Sequence, residues 1–239
     1  MKGRQCLVAV LVSCLFSICG FGQDRTFHVF PQVVDGKFSD GTAYYSLLSI
    51  SNVVSGAQAT CTLATFGLPL SRFAVTAPRT LPAFTSILNL TQGTDPFASG
   101  YATLSCTQPV QASLMYVEFA PNGAILGMAT VLSAPPIHYA ANFMITGAGL
   151  KYGVAIANTN STPITVTIAL NLPNGTATTR NIQIAAQSRF VGFVDDILTV
   201  PSTPGLVYFE VGSTGLPFNA TALLYAGPVF TTLVPATEP

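Results

Sequence analysis

Tryptophan is absent from this 239-residue chain, charged residues make up only 8% of it, and it contains two histidines. Charged side chains form about a quarter of a typical soluble domain, so Ser, Thr, Asn and Gln must supply most of the surface polarity. Nine basic residues balance nine acidic ones, and no basic patch is available to bind a phosphate backbone. We therefore expect no nucleic-acid partner. Because the net charge is zero, little repulsion keeps two copies apart, and self-association is among the partners that the composition allows.

Long hydrophobic runs are missing after the N-terminus, where two basic residues precede an apolar run at residues 6–18. Small residues at positions 20 and 22 complete the pattern of a secretory signal peptide over residues 1–22. We expect the mature chain to be secreted, periplasmic or at the cell surface, and not to span the membrane, because no later run approaches the ~20 residues of a transmembrane helix. The alternative is a lipoprotein box at residues 11–14, which would leave Cys14 as a lipidated N-terminus.

Alternation of apolar and polar side chains recurs in the remaining chain. Between Thr165 and Leu172 every second residue is apolar, which is typical of a strand with one buried face in an antiparallel sheet. Turn-forming residues follow every 8–12 residues or so, and no stretch has a capped 3.6-residue period. The sequence therefore predicts an all-β protein.

An internal repeat relates the two parts of the chain. Residues 45–52 match residues 151–158 when Asn52 is superposed on Asn158, and later apolar positions recur at a spacing of about 105 residues. This spacing is too long for a solenoid repeat and indicates duplication of a whole domain. We predict two tandem antiparallel β-sandwich domains of the same topology, residues 23–134 and 135–239, with residues 137–239 able to fold alone.

Each repeat contains two strands that we predict to pair as a hairpin. In the first repeat they are Ala43–Ser51 and Ala59–Phe66; in the second they lie near residues 154–157 and 165–172. The segments between them are rich in Asn, Ser, Thr and Gly, which favour turns. A hairpin of this kind needs a second sheet to cover its apolar face.

The segment Phe30–Gly36, the Asn-rich unit at residues 158–172 and the Pro-Asn-Gly turns resemble a largely uncharacterised group of secreted tandem β-sandwich proteins from soil bacteria. The resemblance covers nearly the whole mature chain, but the residues that carry it are turn and packing residues. It implies an Ig-like extracellular module. It supplies no catalytic residues.

The histidines and carboxylates do not form a recognisable metal or catalytic site. His28 and His138 lie near the start of each repeat, which we interpret as strand positions copied by the duplication, and neither has the convergent ligands that zinc needs. Asp35 and Asp40 flank a glycine-containing loop without the spacing of a calcium loop, so turn capping is their expected role. We predict no cofactor, no metal and no enzymatic activity.

The pair Asp195-Asp196 could supply half of a hydrolytic carboxylate pair, but nothing in the sequence identifies its partner. The glycines at 147–153 lack the strand-then-helix context of a dinucleotide loop. No serine lies in a nucleophile elbow. Four Asn-x-Thr sequons start at residues 89, 160, 174 and 219; they would carry glycans only in a glycosylating host.

The function predicted from these observations is a non-catalytic, exported protein with a structural, adhesive or protein-interaction role at the cell surface. The alternative is an extracellular carbohydrate-binding module that stacks sugars on aromatic rings. Tyr44 and Tyr45 are candidate ligand-binding residues, because adjacent strand residues cannot both point inward and one ring must be exposed or capped. The expected partner is a protein or glycan at the cell surface.

A disulfide between Cys61 and Cys106 is the remaining prediction. Three of the five cysteines would leave with the signal peptide, and the two that remain would meet an oxidising compartment. Both fall on inward positions, and their repeat counterparts are Val166 and Val211. We expect them to face each other across one core and to link the two sheets of a sandwich. Two buried free thiols are the alternative.

Overall fold

The structure is a computed structural model that describes residues 25–138, 140–145, 150–172, 174–175, 177–198, 205–211, 215–227, 229–233 and 236–237. The predicted signal peptide at residues 1–22 and Cys14 lie outside these residues. The all-β prediction is confirmed, since the described chain consists of antiparallel strands with one short α-helix and one 3-10 turn. No helix in the described part of the chain is long and apolar enough to cross a membrane.

The first half of the chain forms seven strands in two layers. Sheet 1A has the order β4-β3-β6-β1, and sheet 1B has the order β5-β2-β6-β7. The strands are β1 (Arg25–Lys37), β2 (Ala43–Ser51), β3 (Ala59–Phe66), β4 (Arg79–Leu81), β5 (Ser86–Leu90), β6 (Ala98–Phe119) and β7 (Ile125–Leu132).

Strand β6 belongs to both sheets of the first half. Up to Cys106 it pairs with β3, and from Gln111 onwards it pairs with β2. The chain runs on through Pro109 without leaving the extended conformation. Proline lacks an N–H for a ladder and is tolerated at such an irregular point.

The second half also has two sheets. Sheet 2A has the order β12-β11-β14-β9-β17; sheet 2B has the order β13-β10-β15-β16, with β8 beside β15. The elements are β8 (Pro136–Ile137), β9 (Ala140–Ile145), β10 (Lys151–Asn158), β11 (Ile164–Asn171), β12 (Ala177–Ile184), β13 (Ser188–Phe193), α1 (Val194–Leu198), β14 (Gly205–Val211), β15 (Phe218–Ala226), β16 (Val229–Leu233) and β17 (Ala236–Thr237).

The predicted hairpins do not form, although the strand bounds in the first half are those predicted. Strand β2 lies in sheet 1B and β3 in sheet 1A, and β10 and β11 are divided in the same way between 2B and 2A. The intervening loop therefore crosses from one layer to the other. In the first half Asn52 holds this crossing, because its buried side-chain amide bonds the backbone of both the loop and the turn before β5.

Strand order and register recur in the two halves. Leu47 lies opposite Met115 in sheet 1B, and Gly153 lies opposite Leu223 at the corresponding place in sheet 2B. Cys61 lies opposite Cys106, just as Val166 lies opposite Val211. The correspondence extends to the turns before β5 and β13, where Phe84 and Gln187 both have a positive φ.

Each half has its own core, but the first core includes side chains from the second half. Leu223 and Phe230 pack with the apolar residues between sheets 1A and 1B, whereas their neighbours Ala222 and Leu224 face the second core. The outer face of sheet 2B thus lies over the side of the first sandwich formed by β1 and β7. Thr232 Oγ1 donates a hydrogen bond of 2.6 Å to the carbonyl oxygen of Thr130 at this boundary.

Polar contacts also join the halves. The Arg189 guanidinium donates hydrogen bonds to Gln32 Oε1 and Ser99 Oγ, and Asn219 Nδ2 donates to the carbonyl oxygen of Ala134 at 3.0 Å. Arg189 is partly buried, and desolvation lowers the pKa of its guanidinium. A shared apolar cluster and the hydrogen bonds around it therefore hold the two halves together.

Candidate interaction surfaces

The two histidines occupy different environments. His28 is fully buried on β1; its Nε2 donates a 3.0 Å hydrogen bond to the carbonyl oxygen of Arg25, while Nδ1 has no partner among the described residues. His138 is exposed just after β8. His28 lies opposite Leu104, and in the second half the matching position on β9 is Ala141. The interpretation of the histidines as copied positions is therefore wrong.

Asp35 has a larger structural role than the predicted turn cap. Its carboxylate is buried and accepts hydrogen bonds from the backbone N–H groups of Gly93 and Thr94, at 2.7 and 3.1 Å. Arg72 Nη1 forms an ion pair with it at 3.2 Å and also donates to the carbonyl oxygen of Pro96. This pair holds the loop between β5 and β6 against β1.

The other carboxylates serve local structure. Asp40 Oδ1 accepts hydrogen bonds from the N–H and hydroxyl of Thr42, and these bonds lower the pKa of the carboxyl. Asp195 and Asp196 lie in the first turn of α1, where negative charge favours a helix. Among the described residues, no group of three or more His, Cys, Asp or Glu side chains could hold a metal ion.

Cys61 and Cys106 form the predicted disulfide, with Cα atoms 4.1 Å apart. Its location differs from the prediction. The cysteines lie directly opposite each other on β3 and β6 of sheet 1A, so the bond links neighbouring strands and not the two sheets. Val166 and Val211, which match the two cysteines in the repeat, also lie opposite each other on neighbouring strands of one sheet. Side chains on neighbouring strands lie closer together than side chains on two facing sheets.

Tyr44 points toward the first core near the start of β2. Its ring packs edge-on against Phe38 and Phe97, with centroids 5.9 and 6.0 Å away, and those two rings stack on each other at 4.1 Å. Burial, with the nearby Glu118 carboxylate, raises the pKa of the Tyr44 hydroxyl. Phe38 is the exposed member of this aromatic group, with 43% of its surface accessible.

Tyr45 lies on the opposite face of β2. Its ring meets Phe119 edge-on at a centroid distance of 5.3 Å and covers Gly93, where a larger residue would collide with it. The two predicted ligand residues are therefore on different faces, so they do not form one aromatic platform.

The sequon asparagines Asn89, Asn160 and Asn219 have structural roles. Asn89 and Asn219 are buried, and their side chains bond the backbone of Val75 and Ala134. Asn160 Nδ2 donates to Asn158 Oδ1 and to the carbonyl oxygen of Pro217. Asn174 is the exposed one. A glycan on the first three would compete with these hydrogen bonds.

A surface that sequence reasoning missed lies on the outside of sheet 1B. Leu47, Met115 and Val117 form a separate apolar cluster there, apart from the first core. Around it Leu88, Leu90 and Met128 are 41%, 41% and 46% exposed. We call these six residues the 1B face. The alternating pattern did not predict this surface. Strands β2 and β6 carry apolar residues on both faces, whereas an alternating pattern identifies only one buried face.

An opening between the sheets lies on the side of β4 and β5. Leu48, Leu63, Ile87 and Leu104 line this cavity of about 200 Å³, and Arg79, Thr80 and Asn89 are its polar residues. The Asn89 side chain is already bonded to the backbone of Val75. The cavity is therefore apolar, with few polar groups available to orient a ligand.

Comparisons with known proteins identify no family for this chain. No protein-family description matches the sequence, and no curated protein matches it. Solved structures similar to it include the N-terminal CBM22-1-CBM22-2 tandem domain from Paenibacillus barcinonensis Xyn10C, at 9% identity over 84% of this chain and 80% of that chain, with a TM-score of 0.23. An anti-sigma factor domain-containing protein matches at 9% identity over 89% and 80%, with a TM-score of 0.20. Overlap this low carries no argument about fold or ligand.

Proposed function

We propose that this protein is an exported, non-catalytic β-sandwich protein with a structural, adhesive or protein-interaction role at the cell surface. The observation that carries the proposal is the 1B face, whose edge residues Leu88, Leu90 and Met128 are more than 40% exposed, while Leu47, Met115 and Val117 between them are 4–9% exposed. Exposed apolar patches on soluble proteins commonly mark interaction sites. None of the six residues is charged, so a partner would not have to desolvate an ion there.

Two further observations support this proposal. Asp35 and His28, two of the side chains considered for chemistry, are buried and hydrogen-bonded within the fold. The disulfide between Cys61 and Cys106 suits an oxidising compartment, in agreement with export by the predicted signal peptide. We also infer that the halves are Ig-like domains related by duplication, on the grounds of their common strand order and register.

Site-specific photo-crosslinking in the native envelope tests the proposed role. A photoreactive amino acid at Met128 should yield adducts with a protein, because this residue is at the exposed edge of the 1B face. The same amino acid at Phe27, which is 49% exposed on β1, is the matched control and should yield far fewer. Equal labelling at both positions, or none at Met128, would contradict a role for this face.

A carbohydrate-binding role is the second candidate, and one observation favours it. Phe38 presents an exposed ring backed by the stacked ring of Phe97, and sugars stack on exposed aromatic faces. Tyr44 packs edge-on against Phe38 and Phe97, so it would hold these two rings in position without contacting the sugar itself.

Glycan-array binding separates this candidate from the first. Phe38→Ala should abolish glycan binding, Tyr44→Phe should retain it because the ring remains, and Tyr45→Ala should have no effect from the opposite face. Absence of any glycan signal from the unmodified protein would remove the carbohydrate-binding candidate.

A further inference from the structure

The cavity between β4 and β5 lies beneath a strap formed by residues 73–78. The strap first follows β5 of sheet 1B, where the Asn89 side chain bonds the carbonyl oxygen and the N–H of Val75, at 2.7 and 3.0 Å. It ends at Arg79, the first residue of β4 in sheet 1A. The strap therefore crosses the gap between the edge strands of the two sheets, and its residues Val75 and Ala77 line the cavity.

The matching gap in the second half, between β12 and β13, is filled by α1. The Ile197 side chain packs on Gly192 of β13, where an added Cβ would lie 3.4 Å from it. The carbonyl oxygen of Ile197 accepts a 2.9 Å hydrogen bond from Arg180 Nη1 on β12. Val194, Ile197 and Leu198 are 1–5% exposed and belong to the second core. In this half, aliphatic side chains of the chain itself occupy the space between the edge strands.

The strand register shows that the two gaps are equivalent. Asn89 lies opposite Leu48, and Gly192 lies opposite Val154 at the corresponding place. The glycine leaves room for α1, whereas Asn89 binds the strap. No helix follows β5 within residues 91–97. The cavity that Asn89 lines therefore corresponds to the space that Ile197 fills in the second half.

Arg79 takes the place of a core residue of the second half. It lies opposite Cys61, just as Ile182 lies opposite Val166. Residues directly opposite each other present their side chains on the same face of a sheet, and Cys61 faces the first core. The Arg79 side chain therefore leaves β4 on the side of the cavity, which it lines. Its guanidinium has no hydrogen bond or ion pair with another residue that the structure describes, so it is available to a ligand.

We propose that this cavity binds the aliphatic chain of a medium-chain fatty acid, with the carboxylate of the ligand paired with Arg79 at the opening. The ligand chain would occupy the space that Ile197 fills in the second half, against Leu48, Leu63 and Leu104. A cavity of about 150 Å³ lined by such side chains holds one benzene molecule, so about 200 Å³ accommodates roughly eight carbon atoms. The arginine fork matches a carboxylate through two parallel N–H groups. Ligand binding here would be an activity additional to the interaction role proposed above.

Isothermal titration calorimetry of the exported chain with sodium butanoate, hexanoate and octanoate tests the proposal. Each methylene that the cavity buries should strengthen binding about three- to fourfold, up to a chain of about eight carbon atoms. 1-Octanol has the same chain as octanoate but no charge. It should bind at least about tenfold more weakly, because it cannot form the charged pair with Arg79.

Arg79→Gln should reduce octanoate binding to the level of octanol and should leave octanol binding unchanged. Lys37→Gln is the matched control, since it removes an exposed cation that does not line the cavity, and it should bind octanoate as the unmodified chain does. Ile87→Phe introduces the residue that the second half has at the matching position, Phe190. The larger ring should fill the cavity and abolish the binding of both ligands.

Circular dichroism and thermal melts will verify that the variants fold, and Arg79→Gln, at an exposed residue, decides the outcome even if Ile87→Phe does not. The proposal would be overturned by no octanoate binding, by octanol binding as tightly as octanoate, or by binding that persists in folded Ile87→Phe. Aggregation of Arg79→Gln with unchanged octanoate binding would also overturn it, and would show that Arg79 protects the β4 edge from pairing. None of these results affects the crosslinking test at Met128, because β7 lies on the opposite edge of sheet 1B from β5.

Discussion

Asn52 and Asn158 occupy matching positions in the two halves, and their side chains make the same hydrogen bonds. Nδ2 of Asn52 donates to the carbonyl oxygens of Ala57, Leu81 and Pro82, and Nδ2 of Asn158 donates to those of Thr162, Ile184 and Ala185. In each half Oδ1 accepts from the backbone N–H two residues later. A single buried side chain thus joins the crossing loop to the turn before the next edge strand.

Replacing Asn52 or Asn158 with Ala should lower the free energy of unfolding by about 2–4 kcal/mol, because several buried backbone groups would lose their partner at once. Urea unfolding measures this effect. Asn122→Ala is the matched control, because Asn122 also accepts a backbone N–H bond but at an exposed turn; it should cost about 0.5 kcal/mol or less. Equal effects at all three positions would contradict the role of the buried amides.

The disulfide should contribute about 4 kcal/mol in the chain-entropy model, since it joins residues separated by 45 positions. Cys61→Val with Cys106→Val copies the valine pair of the second half and should lose most of this contribution while keeping the packing. A Cys61→Ala, Cys106→Ala variant should be less stable still, because it leaves a cavity. Reductant should destabilise the unmodified chain and leave both variants unchanged; an unmodified chain insensitive to reductant would refute the estimate.

The two halves should unfold in one calorimetric transition, because they share the cluster that contains Leu223 and Phe230. Phe230→Ala should lower the free energy of unfolding by about 3–5 kcal/mol and shift the whole transition. Val229→Ala changes the adjacent residue, which is 59% exposed, and should have little effect. Residues 137–239 alone would expose the outer face of sheet 2B and should aggregate more readily than the full chain. Two separate transitions would show that the halves are energetically independent.

Stability should fall as the pH drops below about 6.5, in part because of His28. Burial, with Arg25 nearby, lowers the pKa of His28, so the unfolded chain takes up the proton before the folded chain does. The loss of stability begins as the pH falls below the pKa of His28 in the unfolded chain, and it ends at the pKa of His28 in the folded chain. Urea midpoints at about pH 7.5 and about pH 5.5 should differ less in His28→Leu than in the unmodified chain. The exposed His138 provides the control, and His138→Gln should retain the full dependence.

Local patterns in the sequence were sufficient for several features of this protein. Alternation located β2 and β3 to the residue, and the match between Asn52 and Asn158 identified equivalent positions. The inward positions of Cys61 and Cys106 led to the disulfide. These features depend on the two-residue period of side chains along a strand and on residue types that have few alternative roles. A single segment of the chain is therefore enough to predict each of them.

Pairing between distant strands was decided only by the tertiary structure. The sequence indicated that β2 and β3 are strands, but they do not pair with each other. Strand β2 pairs with β5 and β6, and β3 pairs with β4 and β6. The buried Asn52 amide directs the loop between them from one layer to the other. Burial of Leu223 and exposure of Met128 were also beyond the sequence. Both residues are apolar and lie on outer faces of sheets, but Leu223 is buried because the first half of the chain packs over it, whereas Met128 on the edge strand β7 stays exposed.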